Sequence, residues 1–203
     1  MKLYTKPGAC SLADHIVLRW IGSPFEVQVM DATTLKAPAY LALNPAGSVP
    51  LLETDGWVLT QNSAILGFLA DAFPAAGLGG DGTPRSRAEV NRWLAFVNAD
   101  VHPTFLPLFG ATSYLGDDAA IELSKHNARQ KLRGLFQRAD AQLQGQDWLT
   151  GSRSIADPYL YVTLRWAKGA NVDLSGLDNL ERFFQRMSTD AAVQQALQAE
   201  GLA

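Results

Sequence analysis

The chemistry this chain could perform starts with "KPGACSLAD", residues 6–14, which holds its one cysteine. Ser11-Leu12-Ala13-Asp14 has the spacing of a helix-capping box, so Cys10 falls at or just before a helix N-terminus. Unpaired N–H groups and the positive dipole end favour a thiolate there, and the pattern predicts an acidified Cys10. The plain alternative is a packed, inert thiol, since free cysteines are among the most buried residues. On these residues alone both readings stand.

Three further stretches could complete a site. Val49-Pro50 opens a strand-like run directly after "NPAGS"; a proline there marks a sheet edge or a cis bond that turns the preceding backbone toward a ligand. Gln61-Asn62-Ser63 precedes a helix, where free N–H groups can hold a carboxylate or a side chain can serve as N-cap. His102 is followed by Pro103, which disfavours helical geometry at His102 and predicts a break from which the ring projects; a packed or surface histidine is the alternative. His15, on the polar side of the first helix, and His126, in "SKHNARQK", read as solvated. The spacing of metal ligands is not found, and no metal is expected.

The elements that must position these residues differ between the two halves. "KLYT" and "FEVQVM" read as strands around a helix carrying Leu12, Ile16 and Trp20, stopped by Gly22. "VPLLET" and "WVLT" flank Asp55-Gly56, a tight-hairpin dipeptide, and a helix follows with Ala64, Ile65, Phe68, Leu69 and Ala72 on one face, ended by Pro74. That order predicts a small mixed sheet covered by helices, an α/β thioredoxin-like N-terminal domain over residues 1–78. "PAAGLGGDGTP", residues 74–84, reads as a linker. Beyond it, Val90, Trp93, Leu94, Val97 and Val101 make one helical stripe and Leu132, Leu135, Phe136, Ala139 and Leu143 another, predicting an all-α bundle over 85–203. "DPYLYVTLRWA" is apolar nearly all round and should be its central helix, opened by a Ser154-Ile155-Ala156-Asp157 box.

Composition narrows the partners. A 47% hydrophobic, 18% charged chain belongs with globular proteins. A net charge of −3 gives no reason to expect nucleic acid or an anionic membrane. With neither a signal-peptide core nor an apolar run of roughly 18 residues, the protein is expected in the cytoplasm.

Taken together and in this order, the motifs resemble bacterial glutathione S-transferases, most closely the beta class, nearly end to end. "MKLYTKPGACSLA" resembles the family's opening, "NPAGSVPLL" its cis-proline segment, "LTQNSAIL" its γ-glutamyl site, and "SIADPYLYVTLRWA" its core helix with the capping box. The resemblance implies a glutathione S-transferase fold and a detoxifying homodimer that joins the thiolate of glutathione, its co-substrate, to hydrophobic electrophiles. Cys10, Ser11 and His102 are then the catalytic candidates. Val49 would pair through its backbone with the cysteinyl part of glutathione, with Pro50 cis, and Gln61 and the Asn62 N–H would hold the γ-glutamyl end. Asp100 matches a position that reaches glutathione from the partner subunit, Lys36 loosely matches a ligand-contacting lysine, and Trp166 would border the electrophile pocket. The sequence departs from the pattern at Gln61, often glutamate in the beta class, at Asn62 in place of serine or glycine, and at Ala95 in place of an asparagine. Two alternatives accompany this reading: a thiol transferase working through a mixed disulfide at Cys10, and a glutathione-binding regulatory module with little catalysis.

Overall fold

The computed structural model describes residues 1–202. Four strands form one mixed sheet in the order β2-β1-β3-β4: β1 Lys2–Thr5, β2 Glu26–Val29, β3 Leu51–Thr54 and β4 Trp57–Thr60. β1 pairs parallel with β2 across the helical crossover α1 (Leu12–Ile21), and antiparallel with β3. The β3–β4 hairpin turns at Asp55 and Gly56, whose φ values of 49° and 74° are those the dipeptide favours. Gly22 ends α1 at φ 75°, its N–H donating to the Leu18 carbonyl.

Helix α2 (Pro38–Leu43) lies between β2 and β3, and α3 (Asn62–Ala72) follows β4. The buried face of α3 is Asn62, Ile65, Leu66, Leu69 and Ala70, whereas Ala64 and Ala72, expected inside, are exposed. An alanine has little area to hide, so Leu66 rather than Ala64 decides the rotation. Segment 74–84 contains a tight turn at Pro74–Ala76 and is pinned by Leu78, buried, whose carbonyl accepts from the Ile155 N–H at 3.0 Å.

The second half is helical: α4 (Pro84–Ala95), a wider π-type turn over Phe96–Val101, α5 (His102–Thr104), α6 (Asp118–Gln142), α7 (Ala156–Gly169), α8 (Asp178–Thr189) and α9 (Ala191–Ala199). Both predicted stripes are buried throughout. Helix α7 is the hub, enclosed from Ser154 to Leu164. Its box forms as the spacing requires: Asp157 Oδ2 accepts from the Ser154 N–H and hydroxyl, both at 2.8 Å, and Oδ1 accepts from the Leu149 N–H at 3.0 Å. α1 packs on α3, α7 and α9, so one apolar core runs through both halves. Among the described residues no helix is long and apolar enough to cross a membrane.

Candidate active site

A cleft of about 340 Å³ opens between the sheet half and the helical half, lined by Cys10, Ser48, Val49, Pro50, Gln61, Asn62, Asn98, His102, Leu106 and Tyr159, among others. Five residues singled out from distant stretches of sequence therefore share one wall-to-wall space with Cys10: Val49, Pro50, Gln61, Asn62 and His102. The Val49–Pro50 bond is cis. The loop before it is held by the Tyr40 hydroxyl and Asn44 Nδ2, which donate to the Ser48 carbonyl at 2.6 and 2.8 Å.

Cys10 lies partly exposed, its thiol 3.9 Å from the Val49 carbonyl. The expected acidification is overturned: burial first, and then the charge of Asp14, push the thiol up to about 12, outweighing the N–H groups of Cys10 and Ser11 that favour a thiolate. Cys10 is thus a hydrogen-bond donor at neutral pH. Its alkylation should be slow at pH 8 and still climb about tenfold per pH unit at pH 10, because rate follows thiolate fraction; a plateau below pH 8, followed by intact mass, would refute this. A thiol protonated in the folded state to about 12 and unfolded only to about 8.5 gives stability that is complete below the lower value. That stability is lost as pH rises toward the higher.

Ser11 is not the helix cap its spacing predicts, and it does not face the cleft. It is fully buried with helical backbone angles and makes no capping bond. Its Oγ sits 2.8 Å from the Thr5 hydroxyl and accepts from the Lys6 N–H. The Thr5 hydroxyl also lies 2.8 Å from Glu200 Oε1, which is 3.0 Å from His15 Nδ1. His15 is consequently buried rather than solvated, because α7 and α9 close over the side of α1 that its polar residues mark as outer. His126 is exposed, as expected.

His102 keeps helical angles, φ −56° and ψ −51°, against the break predicted from Pro103. The irregularity falls one turn earlier: the π-type widening at 96–101 accommodates a residue that lacks an N–H and would crowd the carbonyl four residues back. His102 Nδ1 is 2.6 Å from the Tyr159 hydroxyl, which donates to Asn98 Oδ1 at 3.3 Å. Where the Tyr159 hydroxyl donates to Asn98, Nδ1 carries the imidazole proton and Nε2 is left as an acceptor. Burial lowers the imidazole's pKa, so the ring is neutral at pH 7. Trp166 stacks edge-on against His102 at 4.7 Å and donates from Nε1 to the Gly8 carbonyl at 2.7 Å. It backs the histidine and is not among the residues lining the cleft, contrary to expectation.

Gln61 adopts φ 75° and ψ 116°, a conformation that costs a non-glycine residue about 1–3 kcal/mol and that clusters at ligand sites. Among the described residues no side chain caps α3, so the N–H groups of its first residues are left to the cleft. The capping alternative fails here, because the Asn62 side chain turns inward. With its amide oriented to satisfy its neighbours, Nδ2 donates to Asp14 Oδ2 at 2.7 Å and to the Cys10 carbonyl at 3.1 Å. Lys36 is exposed and is not among the residues lining the cleft, and Asp100 lines a separate groove with Lys131 and Arg138. Tyr159, Asn98 and Asp14 were missed. For Tyr159 a signal existed, since a buried phenol in an apolar helix demands a polar partner.

A thioredoxin-like sheet closed by a helical bundle, with Cys10 and His102 lining one cleft at their seam, defines a two-part thioredoxin-like fold with its candidate site between the parts. Residues 9–72 match the glutathione S-transferase N-terminal domain and residues 91–190 the C-terminal domain. The chain is 68% identical over the whole of both chains to glutathione S-transferase GST-4.5 of Xanthomonas campestris pv. campestris. It superimposes with a TM-score of 0.97 on a glutathione S-transferase from Xylella fastidiosa, 61% identical, covering 100% of this chain and 99% of that one. A beta-class glutathione S-transferase from Sphingomonas chungbukensis superimposes at 0.88, with 36% identity and full coverage of both. The chain belongs to the glutathione S-transferase family.

Proposed function

We propose that the protein is a glutathione transferase of the beta class, a cytoplasmic homodimer that conjugates glutathione to hydrophobic electrophiles. The observation that carries this is the meeting, in one cleft, of Cys10, the cis Val49–Pro50 segment, Gln61 at the start of α3 and His102. A bound glutathione would place its cysteinyl backbone on Val49, its γ-glutamyl end on Gln61 and the α3 N–H groups, and its sulfur between Cys10 and His102. His102 Nε2 takes the thiol proton, and the Cys10 S–H donates to the thiolate that remains. The sulfur then forms a bond to an electrophilic carbon resting against Leu106, nearly half exposed in the cleft wall, and the leaving group departs with its electron pair. Asp100 reaches toward the site from the second copy, Lys36 contacts glutathione once the ligand is seated, and Trp166 supports the pocket through His102.

The thiol-transferase alternative needs a thiolate at Cys10, which burial and Asp14 oppose. Wild type, Cys10→Ala and Cys10→Ser, assayed with an aryl chloride and with a glutathione mixed disulfide, separate the two. Removing a donor to an ionised sulfur should cost the alanine variant about 10–100-fold in conjugation, while serine, still a donor, stays within about tenfold of wild type. Undiminished conjugation in Cys10→Ala would remove Cys10 from the mechanism. Disulfide exchange faster than conjugation, and lost in Cys10→Ser, would establish the alternative.

A further inference from the structure

The cleft must grip an extended ligand at two places, and those come from chain segments about fifty residues apart: the Cys10 turn ahead of α1 and the first turn of α3. Among the described residues, the hydrogen-bonded link between them is Asn62, whose Nδ2 bridges the Cys10 carbonyl and Asp14 Oδ2. The Cys10 carbonyl already accepts from the Ala13 N–H at 2.9 Å, so the amide takes its second lone pair. Asp14 is wholly buried, and its Oδ1 has no partner among the described residues. Burying a carboxyl group with an unmet oxygen is costly. Its one described side-chain partner is Asn62. Burial also raises the Asp14 pKa well above its ordinary value.

We propose that Asp14 and Asn62 are a positioning pair that fixes the Cys10 turn against the N-terminus of α3 and so sets the spacing between the two ends of the glutathione site. This inference rests on reading the cleft as a glutathione site. Its mark is selectivity. Breaking the bridge spoils a ligand that spans both anchor points and spares a fragment that uses one.

The experiment compares wild type, Asn62→Ala, Asp14→Ala and Asp14→Asn for glutathione affinity by calorimetry and for the inhibition constant of γ-glutamylglycine, which reaches the α3 end and has no sulfur. Asn62→Ala and Asp14→Ala should each weaken glutathione about tenfold and leave γ-glutamylglycine within about twofold. Asp14→Asn, which keeps an oxygen for Nδ2, should match wild type for both. Glutathione affinity unchanged in both alanine variants, or equal losses for the two ligands, overturns the inference while the site reading stands. A wild-type protein that binds neither ligand overturns both. Should Asn62→Ala fail to fold, the contrast of Asp14→Ala with Asp14→Asn decides the matter alone.

Discussion

Asp157→Ala is expected to lower the unfolding free energy by about 3–5 kcal/mol, close to a third of the stability of an ordinary domain. The carboxylate accepts from the Leu149 N–H, the Ser154 N–H and the Ser154 hydroxyl in a wholly buried place. Its loss strands two main-chain donors away from water, each worth about 1–3 kcal/mol. Ser154→Ala removes a hydroxyl but leaves Asp157 its two N–H donors, and should cost about 1 kcal/mol. The two variants differ in pH dependence as well. Burial outweighs the three donors and lifts the Asp157 carboxyl to about 6, above its unfolded value. The contribution of Asp157 is therefore full only below its unfolded value of about 3.9 and is lost as pH rises through 6, so the gap between wild type and Asp157→Ala should narrow from pH 4.5 to pH 7.5 in urea melts. A gap that widens over this range would mean that the three donors win.

His102→Ala should reduce kcat/KM for conjugation about 10²-fold, the usual worth of a placed general base. The pH profile carries the sharper prediction. In wild type the ring is neutral above a pKa already lowered by burial, so activity should hold through pH 7 and fall only below the ordinary histidine value of 6.5. Without the ring, the rate should track ionisation of the ligand's own thiol, climbing about tenfold per unit up to roughly pH 8.5. Equal profiles for the two proteins would show that His102 does not take the proton. Tyr159→Phe keeps the ring packing and releases Nδ1, so a smaller loss with an unshifted profile is the signature of orientation alone.

Local chemistry made much of this legible in the sequence. Asp55-Gly56 specified its hairpin, Gly22 its helix stop, and Ser154 with Asp157 their box, because each depends on neighbours within a few positions. The cleft residues Cys10, Val49, Pro50, Gln61, Asn62 and His102 were found as motifs, and the fold brings them together. What failed depended on groups remote in the chain. Cys10 reads as acidic from its helix start, yet burial by both halves and Asp14 reverse the sign. Ser11 and His15 look like a cap and a surface residue until Thr5 and Glu200 are set beside them. Trp166, placed at the electrophile pocket through the resemblance of its helix, stands behind His102 with its indole N–H satisfied by the Gly8 carbonyl.

Glu200 has a consequence for how the molecule is made. Its carboxylate meets Thr5 and His15, partners 195 and 185 positions earlier. At ribosomal speeds of about 5–20 residues per second, the first helix therefore waits roughly 10–40 s for its counterpart to be translated. Through that interval the sheet exists as sequence, but the polar underside of α1 has nothing to close it. Thr5 and His15, which flank the thiol turn, thus gain these partners only after nearly the whole helical half has been made.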